Sequence, residues 1–250
     1  PTNFKRPVEY LDGEKAIEKM TVMPGYKVEL FASEKEFPDL KNPVQMSFDN
    51  QGRLWVAVMP SYPHYRPGDA RPDDKLIILE DTNHDGKADK QTIFARNLHL
   101  PIGFELAPEG VYLSQEPNLC LLVDANHDDK SDRLEILMHG FDTHDTHHAI
   151  SAYSADASGA FYLLEGRFLH SQVETPYGPV RARDSSFFRL RPATQRLTAF
   201  GSYYSTNPWG LTCDQWGWHL GSHPVFAAAV HALNPPYPGQ QPPVKFPAYS

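Results

Sequence analysis

The chain is 250 residues long, 40% hydrophobic and 12% aromatic, enough to bury a substantial core and far from the composition of a disordered polypeptide. Its 31 acidic residues outnumber 23 basic ones for a formal charge of -8, which excludes a general nucleic-acid binder built on a basic face. Two cysteines, Cys120 and Cys213, form no CxxC, CxxCH or zinc-type pattern, and no apolar run approaches the length of a membrane span.

In chain order, Glu14 to Met20 is the one stretch with sustained helical periodicity, and residues 1–24 read as an N-terminal extension carrying a short helix. The segment Tyr26-Lys27-Val28-Glu29-Leu30-Phe31 alternates apolar and polar residues, so 25–32 is expected to be an outer strand that closes a ring. No signal-peptide pattern precedes it; the chain opens at Pro1 as a mature or trimmed protein would.

From there a strand-turn-strand signature recurs. It runs from Val44 to Trp55, Gly103 to Tyr112, Ala149 to Tyr162 and Gly210 to His219. Each copy is a short alternating strand, a tight turn with one glycine, and a second strand bearing an aromatic residue or histidine. Glycine supplies the positive φ of such a turn, and an acid ahead of it can bond back to the turn backbone. The turn glycines are Gly52, Gly110, Gly159 and Gly217, with separations of 58, 49 and 58 residues, somewhat longer than a four-stranded propeller blade. A third strand follows each of the first three signatures, at Lys75–Leu79, Leu119–Val123 and Phe187–Leu190. A fourth follows at Gln91–Phe94, Leu134–Leu137 and Arg196–Phe200. The expectation is therefore an all-β chain, a partial β-propeller with blades at about 42–97, 98–141, 148–204 and 207–250; a β-sandwich is the rival. Three blades and the start of a fourth do not close a ring, so further blades are expected in the full protein. The two cysteines read either as small apolar residues within blades or as a disulfide.

Two loops between third and fourth strands have the oxygen spacing that wraps a calcium ion. In the first, Asp81, Asn83, Asp85, Lys87 (through its carbonyl) and Asp89 are the candidate ligands, with Gly86 at the turn. In the second they are Asp124, Asn126, Asp128, Lys130 and Asp132, and Asp129 replaces the turn glycine, which is expected to weaken that site. Both loops join strands rather than helices, and their expected role is to staple blades.

The run Asp142-Thr143-His144-Asp145-Thr146-His147-His148 leads straight into the third signature. His148 immediately precedes an inner strand, where a side chain points to the central channel. His148 is thus a candidate general base, with Asp145 or His147 as its orienting partner; a histidine-rich metal site and a plain polar loop are the alternatives. The cluster from Glu165 to Gly178 contains His170 and Glu174 as candidate substrate contacts, and Trp209, near Asn207, is a candidate stacking platform for a sugar.

Gly25–Ala32, Leu79–Gly86, Asp145–Ala149 and Asn207–Gly210, taken together and in that order, resemble the N-terminal propeller of the "membrane-bound dehydrogenase" (L-sorbosone dehydrogenase-like) family of Planctomycetes and Bacteroidetes. The resemblance runs from about residue 22 to the end. It implies a periplasmic or secreted protein, further blades, and in many members a haem c domain elsewhere in the polypeptide. More distantly, the region is similar to six-bladed soluble dehydrogenases of sugars and aldoses that use pyrroloquinoline quinone (PQQ). Their catalytic histidine lies eleven residues before the turn glycine, a register that lands on His148. Their quinone-contacting Arg-Asn pair lands on Thr206 and Asn207, and their acid that supports the histidine lands on Arg167, with Glu165 nearby. The histidine and asparagine positions are kept; the arginine and the acid are not. The resemblance implies oxidation of a carbohydrate, a small sugar or an oligosaccharide, with calcium and PQQ as cofactors. A quinone-independent lyase or hydrolase and a non-catalytic binding propeller are the other readings.

Overall fold

The computed structural model describes residues 10–62, 68–202, 210–213, 219–222 and 230–233. Among the described residues one short α-helix, α1 (Gly13–Glu18), is capped by Asp12, whose carboxylate accepts the Lys15 N–H at 2.9 Å. Nearly everything after it is strand or connecting turn, as the period-2 patterning predicts.

The first sheet contains β1 (Pro43–Phe48), β2 (Leu54–Val58), β3 (Asp74–Glu80) and β4 (Lys90–Leu98), hydrogen-bonded in that order. The second repeats the meander with β5 (Phe104–Ala107), β6 (Gly110–Gln115), β7 (Asn118–Val123) and β8 (Arg133–His139). In the third, β9 (Ser151–Ala155) and β10 (Phe161–Leu164) come first. A separate hairpin of β11 (His170–Val173) and β12 (Val180–Arg183) then intervenes before β13 (Ser186–Arg191) and β14 (Arg196–Ser202) complete the sheet. The fourth sheet comprises β15 (Leu211–Cys213), β16 (His219–Ser222) and β17 (Val230–Leu233). Among the described residues all strand pairings are antiparallel. The chain is all-β, and each of the first three sheets follows the predicted strand order. The 165–178 segment leads into a hairpin that the sequence expectation does not include, because His170–Val173 and Val180–Arg183 pair across a turn at 175–178.

The recurring aromatic of the signature has a local reason. The Trp55 indole N–H donates to Asp49 Oδ2 at 2.9 Å, and the Tyr162 hydroxyl donates to Asp156 Oδ2 at 3.1 Å. Tyr112 likewise reaches Glu109 at 2.7 Å. The acid of the turn thus ties the glycine bend to the second strand while the ring packs inside. Gly52 and Gly159 take φ of +79° and +75°, as the bend demands.

Successive sheets pack face to face. Trp55, Ala57, Leu76 and Ile78 of the first bury against Phe104, Val111, Leu113 and Leu122 of the second. Tyr112, Leu119 and Leu121 on the other face of the second meet Tyr153, Phe161, Leu163 and Phe188 of the third. Tyr162, Leu164 and Phe187 continue to Leu211 of the fourth. The first strands are neighbours in series, β1 beside β5, β5 beside β9, β9 beside β15. The open face of the first sheet, with Leu54, Val56, Val58, Ile77 and Leu79, is covered by Phe31, Ala32, Phe37 and Leu40 of the N-terminal segment. The alternating stretch Tyr26–Phe31 itself forms no strand. Its predicted role needs an unpaired sheet edge as partner, and among the described residues its one backbone bond outside the N-terminal segment is Ala88 N–H to Phe31 O at 2.8 Å. Cys120 is a free thiol with no exposed surface, in keeping with its reading as a small apolar residue.

Candidate functional site

Antiparallel meanders send alternate connections to opposite ends of the sheets. One end carries the signature turns and the two acidic loops. The other carries the entries to first strands and the exits from second strands, and there the predicted His148 lies.

His148 precedes β9 and is held by three neighbours. Its Nδ1 is 3.1 Å from Asp145 Oδ2 and 3.2 Å from the Arg167 carbonyl oxygen. Both are acceptors, so Nδ1 carries the proton and the lone pair of the neutral ring falls on Nε2. The third neighbour is Gly166, whose N–H donates to the His148 carbonyl at 2.8 Å. A Cβ at Gly166 would lie 2.5 Å from His148 Cβ, so only glycine permits this approach. Asp145 also takes the His147 N–H at 3.0 Å, and the His147 ring packs edge-on against Tyr62 with centroids 4.9 Å apart. Burial, then the Asp145 charge, pushes the Tyr62 hydroxyl pKa up.

Two carboxyls not singled out as site residues by sequence complete the cluster. Glu165, at the exit of β10, is 1% exposed; it accepts the Ser171 hydroxyl through Oε1, while its buried Oε2 has no hydrogen-bond partner. Burial and the nearby Asp142 charge raise its pKa to about 7. Glu116, at the exit of β6, also has a buried oxygen without a partner. Burial and the charges of Glu165, Asp142 and Asp145 raise it to about 8. Asp142 differs: its oxygens accept the His144 and His170 N–H groups at 3.0 and 2.6 Å, which hold it low despite partial burial. A sequence signal for the two glutamates exists. Each stands six residues after its turn glycine, Gly110 or Gly159, so the repeat places both at the same end of successive sheets.

The other predicted site residues fare differently. Arg167 is adjacent to His148, but its guanidinium lies over the Phe168 ring, 4.9 Å from the centroid, and its backbone carbonyl serves the histidine. His170 and Glu174 fall on the β11–β12 hairpin with exposed side chains, Glu174 pairing its backbone with His139. Thr206, Asn207 and Trp209 lie outside the described residues.

The two acidic loops sit at the opposite end and share one conformation. Residues His84 and Gly86 have φ of +61° and +88°, and their counterparts His127 and Asp129 have +59° and +64°. In the first loop Asp81 accepts N–H groups of Asp85 and Gly86, Asn83 that of Asp85, and Asp85 that of Lys87. Asp124, Asn126 and Asp128 repeat the pattern. Asp89 and Asp132 instead accept from Thr82 and Ala125. The donor chemistry suits calcium, yet among the described residues no three His, Cys, Asp or Glu side chains are grouped as a metal ion would need. Asp129 takes the place of glycine with compensation, because its Oδ2 pairs with Arg53 of the first signature turn at 2.8 Å.

Among the described residues no helix is long and apolar enough to cross a membrane. A search of curated proteins finds no match. Among solved structures the chain is similar to a luciferin-regenerating enzyme at 9% identity, covering 74% of this chain and 71% of that one, with a TM-score of 0.40. Residues 12–245 match the domain of unknown function DUF7133, and with nearly the whole chain inside that match, this protein is a member of the DUF7133 family.

Proposed function

We propose that the chain is part of a β-propeller enzyme that activates a hydroxyl group of a carbohydrate, with His148 as general base and Asp145 as its orienting acid. The observation that carries this reading is the 3.1 Å contact between Asp145 Oδ2 and His148 Nδ1 at the entry to an inner strand. A carboxylate on Nδ1 fixes the tautomer and favours the imidazolium that forms once Nε2 has taken a proton. The propeller reading is supported by meander sheets packed in series with their first strands adjacent.

The resemblance to sugar dehydrogenases makes oxidation the preferred outcome of that proton removal. A bound quinone would supply the hydride acceptor. The residues aligned with its contacts, Thr206 and Asn207, lie outside the described residues, and Arg167, aligned with the acid that supports the histidine, is stacked on the Phe168 ring, so no step is assigned to a quinone. The test is a set of parallel assays with aldoses, amino sugars and oligosaccharides, with and without PQQ and calcium. Substrate-dependent dye reduction that disappears in His148→Ala supports the proposal. Cleavage products formed without an acceptor would replace it by a lyase or hydrolase. Turnover that survives in His148→Ala, or sugar binding that persists in that variant with no turnover in the unaltered protein, sinks it.

A further inference from the structure

Several buried or half-buried acids elsewhere in the molecule have cationic partners. Asp49 pairs with Arg53, Asp73 with Lys75 and Arg96, and Asp156 with Arg189. Among the described residues Asp74 and Glu105 are not ion-paired, but buried Asp74 is satisfied by Ser61 and the Leu100 N–H. The four carboxyls Glu116, Asp142, Asp145 and Glu165 differ in standing together, Ser171 linking Glu165 to the Asp142 N–H and the Pro117 carbonyl accepting the Phe141 N–H. Among the described residues none of them is ion-paired with a lysine or arginine; only His144, His147 and His148 stand beside the two aspartates. Glu165, almost completely buried, and Glu116 each keep a buried oxygen with no hydrogen-bond partner. Unpaired carboxyls gathered in one place cost free energy unless something outside the chain offsets them.

We propose that this cluster is a subsite for a positively charged group, so that the substrate is an amino sugar or a similarly cationic polyol whose ammonium group lies against Glu116 and Asp145. Glu165 and Asp142 add their charge from within. An ammonium needs only one or two carboxylate oxygens, whereas a metal ion would need three or more ligands converging on one point, and among the described residues no three of these acids and histidines converge so. The placement beside His148 then brings a hydroxyl of the same sugar to Nε2. This deepens the reading above and rests on it for the location of the site.

Binding is measurable without turnover. Isothermal titration of the full chain with D-glucosamine, D-glucose and calcium chloride at pH 7 tests the assignment. A cation entering among raised carboxyls displaces their protons, so the glucosamine enthalpy is expected to change with buffer ionisation enthalpy. Glucosamine is expected to bind at least tenfold tighter than glucose, weaken with added salt, and lose at least tenfold affinity in Glu116→Gln while glucose is unaffected. Equal affinity for the two sugars, or no glucosamine binding, overturns the subsite. Calcium binding lost in Glu116→Gln, with glucosamine indifferent to that change, overturns the amine in favour of a metal. Failure of the catalytic reading instead shows as turnover that survives His148→Ala, whatever glucosamine does.

Discussion

His148 is held by Asp145 of its own loop, the Arg167 carbonyl beyond β10 and the bare α-carbon of Gly166. Since an added methyl would meet His148 Cβ rather than the end of a flexible side chain, Gly166→Ala is expected to cost about 1–3 kcal/mol of stability. It should also tilt the imidazole away from Asp145, which the pH titration of the His148 ring followed by NMR would record. The two raised glutamates make a second prediction. A carboxyl whose folded pKa exceeds its unfolded value of 4.5 binds its proton more tightly in the native state. Its stabilisation is full below about pH 4.5 and is lost as pH rises through about 7 for Glu165 and about 8 for Glu116. Denaturant midpoints are therefore expected to fall between pH 5 and 8.5, and Glu116→Gln with Glu165→Gln should flatten that slope. A slope unchanged in the double variant would contradict it. Neither glutamate stands out in the sequence by composition, because each is an ordinary acid at the end of an apolar strand. Only burial next to other carboxyls makes them unusual.

At the scale of elements, the two acidic loops were readable to the residue, since their spacing repeats at equivalent places in successive sheets. What they connect was not. The first loop meets the N-terminal segment through Ala88 and Phe31. The second meets the first sheet through Ser131 N–H to Phe94 O and through Asp129 to Arg53. Each loop therefore braces its sheet against the preceding element. If calcium enters these loops, millimolar calcium should raise Tm by several degrees by favouring the folded state alone, and chelation should reverse the rise. Asp81→Ala and Asp124→Ala together should abolish the response; no calcium shift in the unaltered protein would reject calcium at both loops. The β11–β12 hairpin was the element missed in the sequence. Its strands, HSQV and VRAR, are only four residues long and fully bury one apolar side chain, Val173, so they carry little of the sustained apolar alternation that marks a core strand.

For the whole molecule, packing is serial: each sheet presents one face to the next, and the first sheet's outward face is half covered. Met46 and Phe48 stand opposite Val56 and Leu54 on that face, yet are 69% and 64% exposed, while Val56 is 3% exposed. Val56→Ala is accordingly expected to cost about 2 kcal/mol, and Phe48→Ser within about 0.5 kcal/mol. Urea denaturation of the two variants would check the contrast. A cost at Phe48 as large as that at Val56 would mean that the face is covered in solution.

The sequence by itself determined the all-β class, the repeat, the strand order within sheets and the position of His148. These follow from period-2 alternation, turn glycines and fixed offsets, all of which are local along the chain. Only the tertiary structure decided that Asp145 rather than His147 contacts Nδ1, that Arg167 serves through its carbonyl, and that four carboxyls gather beside the histidine. Those facts depend on which strand ends meet across sheets, and on burial that changes what an ordinary glutamate does.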